Sequence, residues 1–292
     1  MRRVLHALLA GAVAVGVPGA LHPVARHLGD ERTSTFDGRL SDDGSSWTTD
    51  LNRKAGGGGS CAYPADVLDL TDWYIGLPVG DEESPTNVYQ PDLATYANDP
   101  WFTTADDCEA VRFRAPVDGV TTSGSEYPRS ELREMTDSGK TKASWSSTSG
   151  THTMVIDQAI TDVPKKTPNV VAGQIHDASD DVSVFRLEGR KLYVTDGDEK
   201  HKLVVDDYEP GTRFRATFVV GDGKVKAYYN GELQTTLSRK FSGAYFKAGA
   251  YTQANCGNSD PCDGDNYGQV KIYGLDVTHS DGDGGDDGSG AG

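Results

Sequence analysis

The sequence predicts an all-β chain, a sandwich or jelly roll of antiparallel strands, and three observations predict it. Apolar and polar residues alternate with period 2 along many short runs, two-residue turn signals separate the runs, and no long amphipathic helical stripe is present. The composition agrees: 35 Gly and 13 Tyr in 292 residues suit tight turns and short strands.

In chain order the alternating runs are Val111 to Arg114, His152 to Ile160, Val182 to Leu187, Lys191 to Thr195, Phe214 to Val220, Lys224 to Tyr229 and Val270 to Val277. Glu188-Gly189, Asp222-Gly223 and Asn230-Gly231 stand where hairpins should reverse, because each pair tolerates the positive φ that tight turns demand. Pro64 to Leu70 is the one candidate for a first helical turn. No fixed-period repeat is visible, which argues against a propeller.

The ends read differently from the middle. Arg2 and Arg3 precede an apolar stretch, Val4 to Val17, broken only by His6, which predicts an export signal over about residues 1–20 and a secreted, extracellular protein. The stretch is short for a bilayer span. Residues 21–60 are polar and close on Gly56 to Gly59 and Ser60, the composition of a flexible linker. Residues 280–292 are almost entirely Asp, Gly and Ser and predict a disordered acidic tail; Asp281-Gly282-Asp283 lacks the closing Glu of a calcium loop. One folded domain over residues 61–279 remains.

The formal net charge of −16 disfavours nucleic acid and anionic membranes as partners, since both need a basic field. Export implies an oxidising setting, so four cysteines should pair. Cys256 and Cys262 close a short loop and leave Cys61 for Cys108, the simplest of three connectivities, while no finger-like Cys or His spacing supports zinc.

Three segments place polar groups on one strand face. Extended, Tyr127 to Glu134 puts Arg129, Glu131 and Arg133 on one side and Ser130 and Leu132 on the other. Taken alone this would suit a solvated salt-bridge ladder. In Val170 to Asp177 an apolar run acquires Gln174 and His176, with Ile175 between them pointing to the core. Along Tyr245 to Gln253, Tyr245, Lys247, Tyr251 and Gln253 share a face, Phe246, Ala248 and Ala250 take the other, and Gly249 leaves an expected gap for a sugar ring. As neighbours the three strands would collect cations, amides, a histidine and phenols with one inward acid: a local cationic patch on an acidic protein.

Glu131 and Glu134 point to opposite faces and no second inward acid is seen, so paired-carboxylate glycoside hydrolysis is disfavoured. A serine-nucleophile elbow is missing as well. Elimination from a uronate needs another set: a cation and an amide to neutralise the substrate carboxylate, a base for the C5 proton, and an acid for the leaving oxygen. Arg129 and Gln174 suit the first task and His176 and Tyr251 the second, with the acidity of Tyr251 expected to be assisted by cations such as Lys247. No metal or other cofactor is required.

Arg129-Ser-Glu-Leu-Arg133, Gln174-Ile-His176 and Tyr245-Phe-Lys-Ala-Gly-Ala-Tyr251-Thr-Gln253 together resemble, in order, the signature regions of the family 7 polysaccharide lyases, the alginate lyases. The resemblance implies a concanavalin A-like jelly roll with a concave cleft and β-elimination of 1,4-linked uronate chains by a monomer. It also implies Arg129 and Gln174 on the carboxylate, Tyr251 as acid, and His176 or Tyr251 as base according to the uronate. Glu131, Arg133, Tyr245, Lys247 and Gln253 become supporting or substrate-binding residues. Ile175 leans the expectation toward guluronate-containing blocks. The alternatives are a lyase for another polyuronate such as glucuronan, or a non-catalytic uronate-binding module.

Overall fold

The computed structural model describes residues 61–280, all within one compact unit. The expected signal, the linker and the tail beyond Ser280 lie outside the described residues. After a short 3₁₀ turn at Pro64–Asp66 the chain enters β1 (Trp73–Asp81) and β2 (Ser84–Val88), and after a second at Asp92–Thr95 it forms β3 (Phe102–Ala105) and β4 (Ala110–Pro116). A loop leads to β5 (Arg129–Thr136), β6 (Thr141–Lys142), β7 (Thr151–Asp162) and β8 (Asn169–His176). The hairpin strands β9 (Asp181–Glu188), β10 (Lys191–Asp196) and β11 (Glu199–Val205) follow, then β12 (Phe214–Gly221), β13 (Lys224–Tyr229) and β14 (Glu232–Ser238), and last β15 (Tyr245–Thr252) and β16 (Tyr267–Ser280).

These strands make two antiparallel sheets that pack as the predicted sandwich, a jelly roll. One runs β11-β10-β9-β8-β15-β5-β1-β2, with β6 added to β5; the other runs β14-β13-β12-β7-β16-β4-β3. The three expected turns do reverse β9 into β10, β12 into β13 and β13 into β14. Non-consecutive neighbours such as β8, β15 and β5 gather the three segments singled out above onto adjacent strands.

The period-2 pattern decides which side chains fill the space between the sheets. Leu132 and Ile75 come from one side, Phe246 and Ile175 lie beside them, and Phe113, Phe214 and Phe218 come from the other; all are at most 2 % exposed. Each such burial contributes roughly 1.5–3 kcal/mol. Disulfides join Cys61 to Cys108 and Cys256 to Cys262, the expected pairing. No helix among the described residues is long and apolar enough to cross a membrane.

One polar network penetrates the interior. Glu134, on the core side of β5, accepts bonds from Trp145 Nε1 (3.0 Å), the Phe246 amide (2.7 Å) and His279 Nε2 (2.6 Å). His279 and its register partner His152 meet through their Nδ1 atoms at 2.7 Å. These bonds satisfy a carboxylate that is 2 % exposed, the condition for keeping it there.

Candidate active site

On the outer face of the nine-stranded sheet a cleft of about 270 Å³ is lined from β2 to β8 by Tyr74, Asn87, Glu131, Arg133, His176 and Lys247, among others. The loop Val120 to Ser125 closes one side. Register fixes the arrangement: Lys247 pairs with Arg133, Gly249 with Glu131 and Tyr251 with Arg129 across β15 and β5, while Tyr245 pairs with His176 and Lys247 with Gln174 across β15 and β8.

Two local irregularities set the details. The register of β8 slips against both neighbours between Val171 and Gln174, where Gly173 has φ 90°. Val171 therefore joins Tyr251 and Val184 in a small apolar cluster that braces the phenol, while Ala172 and Ile175 enter the core. Gly249, with φ 144°, is not an open floor for a sugar ring as its size predicted: an added Cβ would lie 2.4 Å from Ser130 O and 2.8 Å from Glu131 Cα. Glycine is needed there so that β15 can press against β5.

Glu131 is the hub. Its buried carboxylate lies 2.7 Å from Lys247 Nζ and 3.5 Å from Arg129 Nη1, and it accepts a bond from Gln174 Nε2. Burial alone would raise this carboxyl, but Lys247 and Arg129 outweigh it and hold the group below the usual range. Burial pushes the Lys247 ammonium down, with Glu131 opposing. The two charges sustain each other, so Lys247 and Gln174 support the floor of the cleft rather than standing free above it.

Arg129, 24 % exposed in its side chain, is less committed. Its guanidinium lies 3.8 Å over the Tyr251 ring and donates to Ser125 Oγ at 2.9 Å. Tyr251 reaches the same hydroxyl at 3.1 Å. Burial pushes the Tyr251 phenol up; Arg129 pulls it down, as expected of a neighbouring cation, and Ser125 does so too, but desolvation outweighs them. Arg133 stacks 3.9 Å over Tyr245 and donates to the carbonyls of Glu134 and Ala143. Burial raises the Tyr245 phenol too. Gln253 lies past the end of β15, with its amide on Asn169 O, and no hydrogen bond among the described residues joins its side chain to the cluster.

His176 Nδ1 lies 2.7 Å from the carbonyl of Asp177, which can only accept, so Nδ1 carries a proton and Nε2 is the ring atom left to exchange one. The ring stacks on Tyr245 at 5.1 Å. Asp181 Oδ1 lies 3.8 Å from Nε2. The sequence showed one inward acid; Asp181 is a second, missed because it follows a turn rather than standing in an alternating run. It does not restore a hydrolase pair, since Glu131 is locked by three partners. His176, Asp180 and Asp181 also bring three possible ligand atoms within 4.8 Å of one another, the one such cluster among the described residues. Ser125 was missed as well, because a lone loop serine carries no pattern.

The comparisons agree with the geometry. The family profile for alginate lyase matches residues 68–279. The crystal structure of the alginate lyase from Corynebacterium sp. is 60% identical with a TM-score of 0.75, covering 76% of this chain and 100% of that one. The alginate lyase AlgAT5, of polysaccharide lyase family 7, is 50% identical with a TM-score of 0.71 over 76% of this chain and 100% of its own. A variant of the family 7 alginate lyase A1-II′ in complex with substrate (GGMG) is 27% identical, with a TM-score of 0.65 over 76% and 98% of the two chains. A sandwich of this topology, an outer-face cleft lined by Arg129 and His176 with Gln174 and Tyr251 bonded to its lining residues Glu131 and Ser125, and a profile match over most of the chain lead to one conclusion: the chain belongs to the alginate lyases of polysaccharide lyase family 7, and is a polysaccharide lyase.

Proposed function

We propose that this lyase cleaves 1,4-linked uronate chains of alginate by β-elimination, with guluronate-containing blocks preferred. The observation that carries the reading is that one sheet face brings two proton carriers to the cleft: His176 lines it with Nδ1 held by the Asp177 carbonyl, and Tyr251, whose phenol burial pushes up, meets the lining residues Ser125 and Arg129. Arg129 supplies the cation for the substrate carboxylate, whose charge grows as the C5 proton leaves. His176 Nε2 takes that proton, the electron pair forms the C4–C5 double bond, the C4–O bond breaks, and the departing oxygen takes the Tyr251 proton.

The raised Tyr251 phenol favours the acid role and leaves the base role to His176, which suits guluronate. Glu131, Lys247 and Gln174 hold the floor in register, and Arg133 and Tyr245 form the wall against which His176 stacks. The test is the rate at which ultraviolet absorbance rises on separated polyguluronate, polymannuronate and glucuronan. Faster appearance on polyguluronate is expected; a faster rate on either other polymer contradicts the preference.

A further inference from the structure

We propose that Asp181 is a positioning residue of this site: its carboxylate, brought to the ring by the β8–β9 turn, stabilises the imidazolium that His176 becomes on taking the substrate proton. The inference rests on the reading of His176 as the base. Three observations carry it. His176 and Asp181 are register partners across β8 and β9, so their side chains leave the same face of the sheet. Asp181 Oδ1 stands 3.8 Å from Nε2, the ring atom left to exchange a proton by the bond of Nδ1 to Asp177 O.

The turn between them is wound by Asp177, whose Oδ1 accepts bonds from the Ser179 amide and hydroxyl, both at 2.7 Å, and from the Asp180 amide at 3.0 Å. One turn thus fixes the tautomer from one side of the ring and places a charge at the other.

The remaining charges do not fulfil this role. From β15 the ring faces Tyr245, a stacked phenol, and Lys247, a cation held by Glu131 of β5. Arg129, also on β5, is shared between Glu131 and Ser125. Asp177 directs its carboxylate into its own turn, and Asp180 is exposed. Asp181 is the acid next to Nε2, and burial pushes its carboxyl up against the pull of Lys247 and His176. A proton arriving on Nε2 restores the charge balance of both groups at once, so the pair favours proton abstraction in the step where it is needed.

The experiment is the pH dependence of kcat/KM on polyguluronate for wild type, Asp181→Asn, Asp181→Glu and His176→Asn. Loss of the anion should move the acidic limb to lower pH by about half to one unit, with kcat reduced about tenfold, and Asp181→Glu should return both toward wild type. An Asp181→Asn limb that superimposes on wild type overturns the proposal. If Asp181→Asn does not fold, an NMR titration of His176 in ¹⁵N-histidine-labelled wild type, Asp181→Ser and Asp181→Glu decides: the midpoint should fall in Asp181→Ser and stay near wild type in Asp181→Glu, and an Asp181→Ser curve that superimposes on wild type refutes the pairing. The two failures separate, because a His176→Asn enzyme that stays active with its limb intact removes the base assignment, whereas a limb lost in His176→Asn but unmoved in Asp181→Asn removes Asp181 alone.

Discussion

The hydroxyls of Tyr251 and Ser125 lie 3.1 Å apart, and the same Ser125 oxygen accepts a bond from Arg129 at 2.9 Å. Ser125 donates its own proton to the Tyr127 carbonyl at 3.1 Å, so it meets the other two groups as an acceptor. A loop hydroxyl thereby holds both Tyr251, the proposed acid, and Arg129, the proposed carboxylate-binding cation. Tyr251→Phe should reduce kcat by at least about 10² while leaving oligosaccharide binding, measured calorimetrically, within a few-fold of wild type. Ser125→Ala should cost about tenfold in kcat, the worth of one hydrogen bond of roughly 1.4 kcal/mol; full activity in Tyr251→Phe would remove the phenol from its role.

Removing Glu131 leaves Lys247 buried without a counter-charge. Glu131→Ala should destabilise the fold by about 3–5 kcal/mol, lowering the thermal midpoint by roughly 6–20 °C. Replacing both residues by Met should cost less than the single change. Equal losses in the single and double variants would show that the pair does not act as one unit.

Gly249→Ala tests the close approach of β15 to β5. The added carbon meets Ser130 O at 2.4 Å in a backbone conformation that L residues avoid. A loss of at least about 1–3 kcal/mol is expected from the backbone alone, read as a lower denaturant midpoint, whereas Gly124→Ala, where a Cβ meets nothing within 4 Å, should be neutral. Equal midpoints would return Gly249 to the role of an open floor.

Acid should weaken the fold through His152. Burial, followed by the neighbouring His279, lowers its imidazole below the ordinary 6.5. The unfolded chain then takes the proton first, so stability is full above about pH 6.5 and is lost as pH falls toward the lowered folded value. The thermal midpoint should drop between pH 7 and pH 5, and less steeply in His152→Gln; identical slopes would place the acid sensitivity elsewhere.

The elimination proposed here uses no metal, so dialysis against a chelator should leave kcat/KM on polyguluronate unchanged. A loss restored by added calcium would assign a cation to His176, Asp180 and Asp181.

Much of this was legible in the sequence. Alternation marked β12 because Arg215 and Val219 are half-buried between the core residues Phe214, Ala216, Phe218 and Val220, and Asn230-Gly231 marked its hairpin. The edge strand β11 was not legible: Lys200, His201 and Lys202 are all exposed, so no apolar period exists. Within the site, strict alternation correctly put Arg129, Glu131 and Arg133 on one face. It could not show the slip at Gly173 that turns Val171 toward Tyr251, because register depends on the neighbouring strands. Ser125 and Asp181 came from a loop and a turn, where composition carries no direction.

The central claim is that the glycosidic bond is broken by elimination rather than by water. Mass spectrometry of oligomers released from polyguluronate measures it directly: every product except the one that keeps a chain's original non-reducing end is predicted to carry an unsaturated non-reducing end and to weigh one water less than its hydrolytic counterpart. A product set that is saturated throughout, at full hydrolytic mass, would contradict the account.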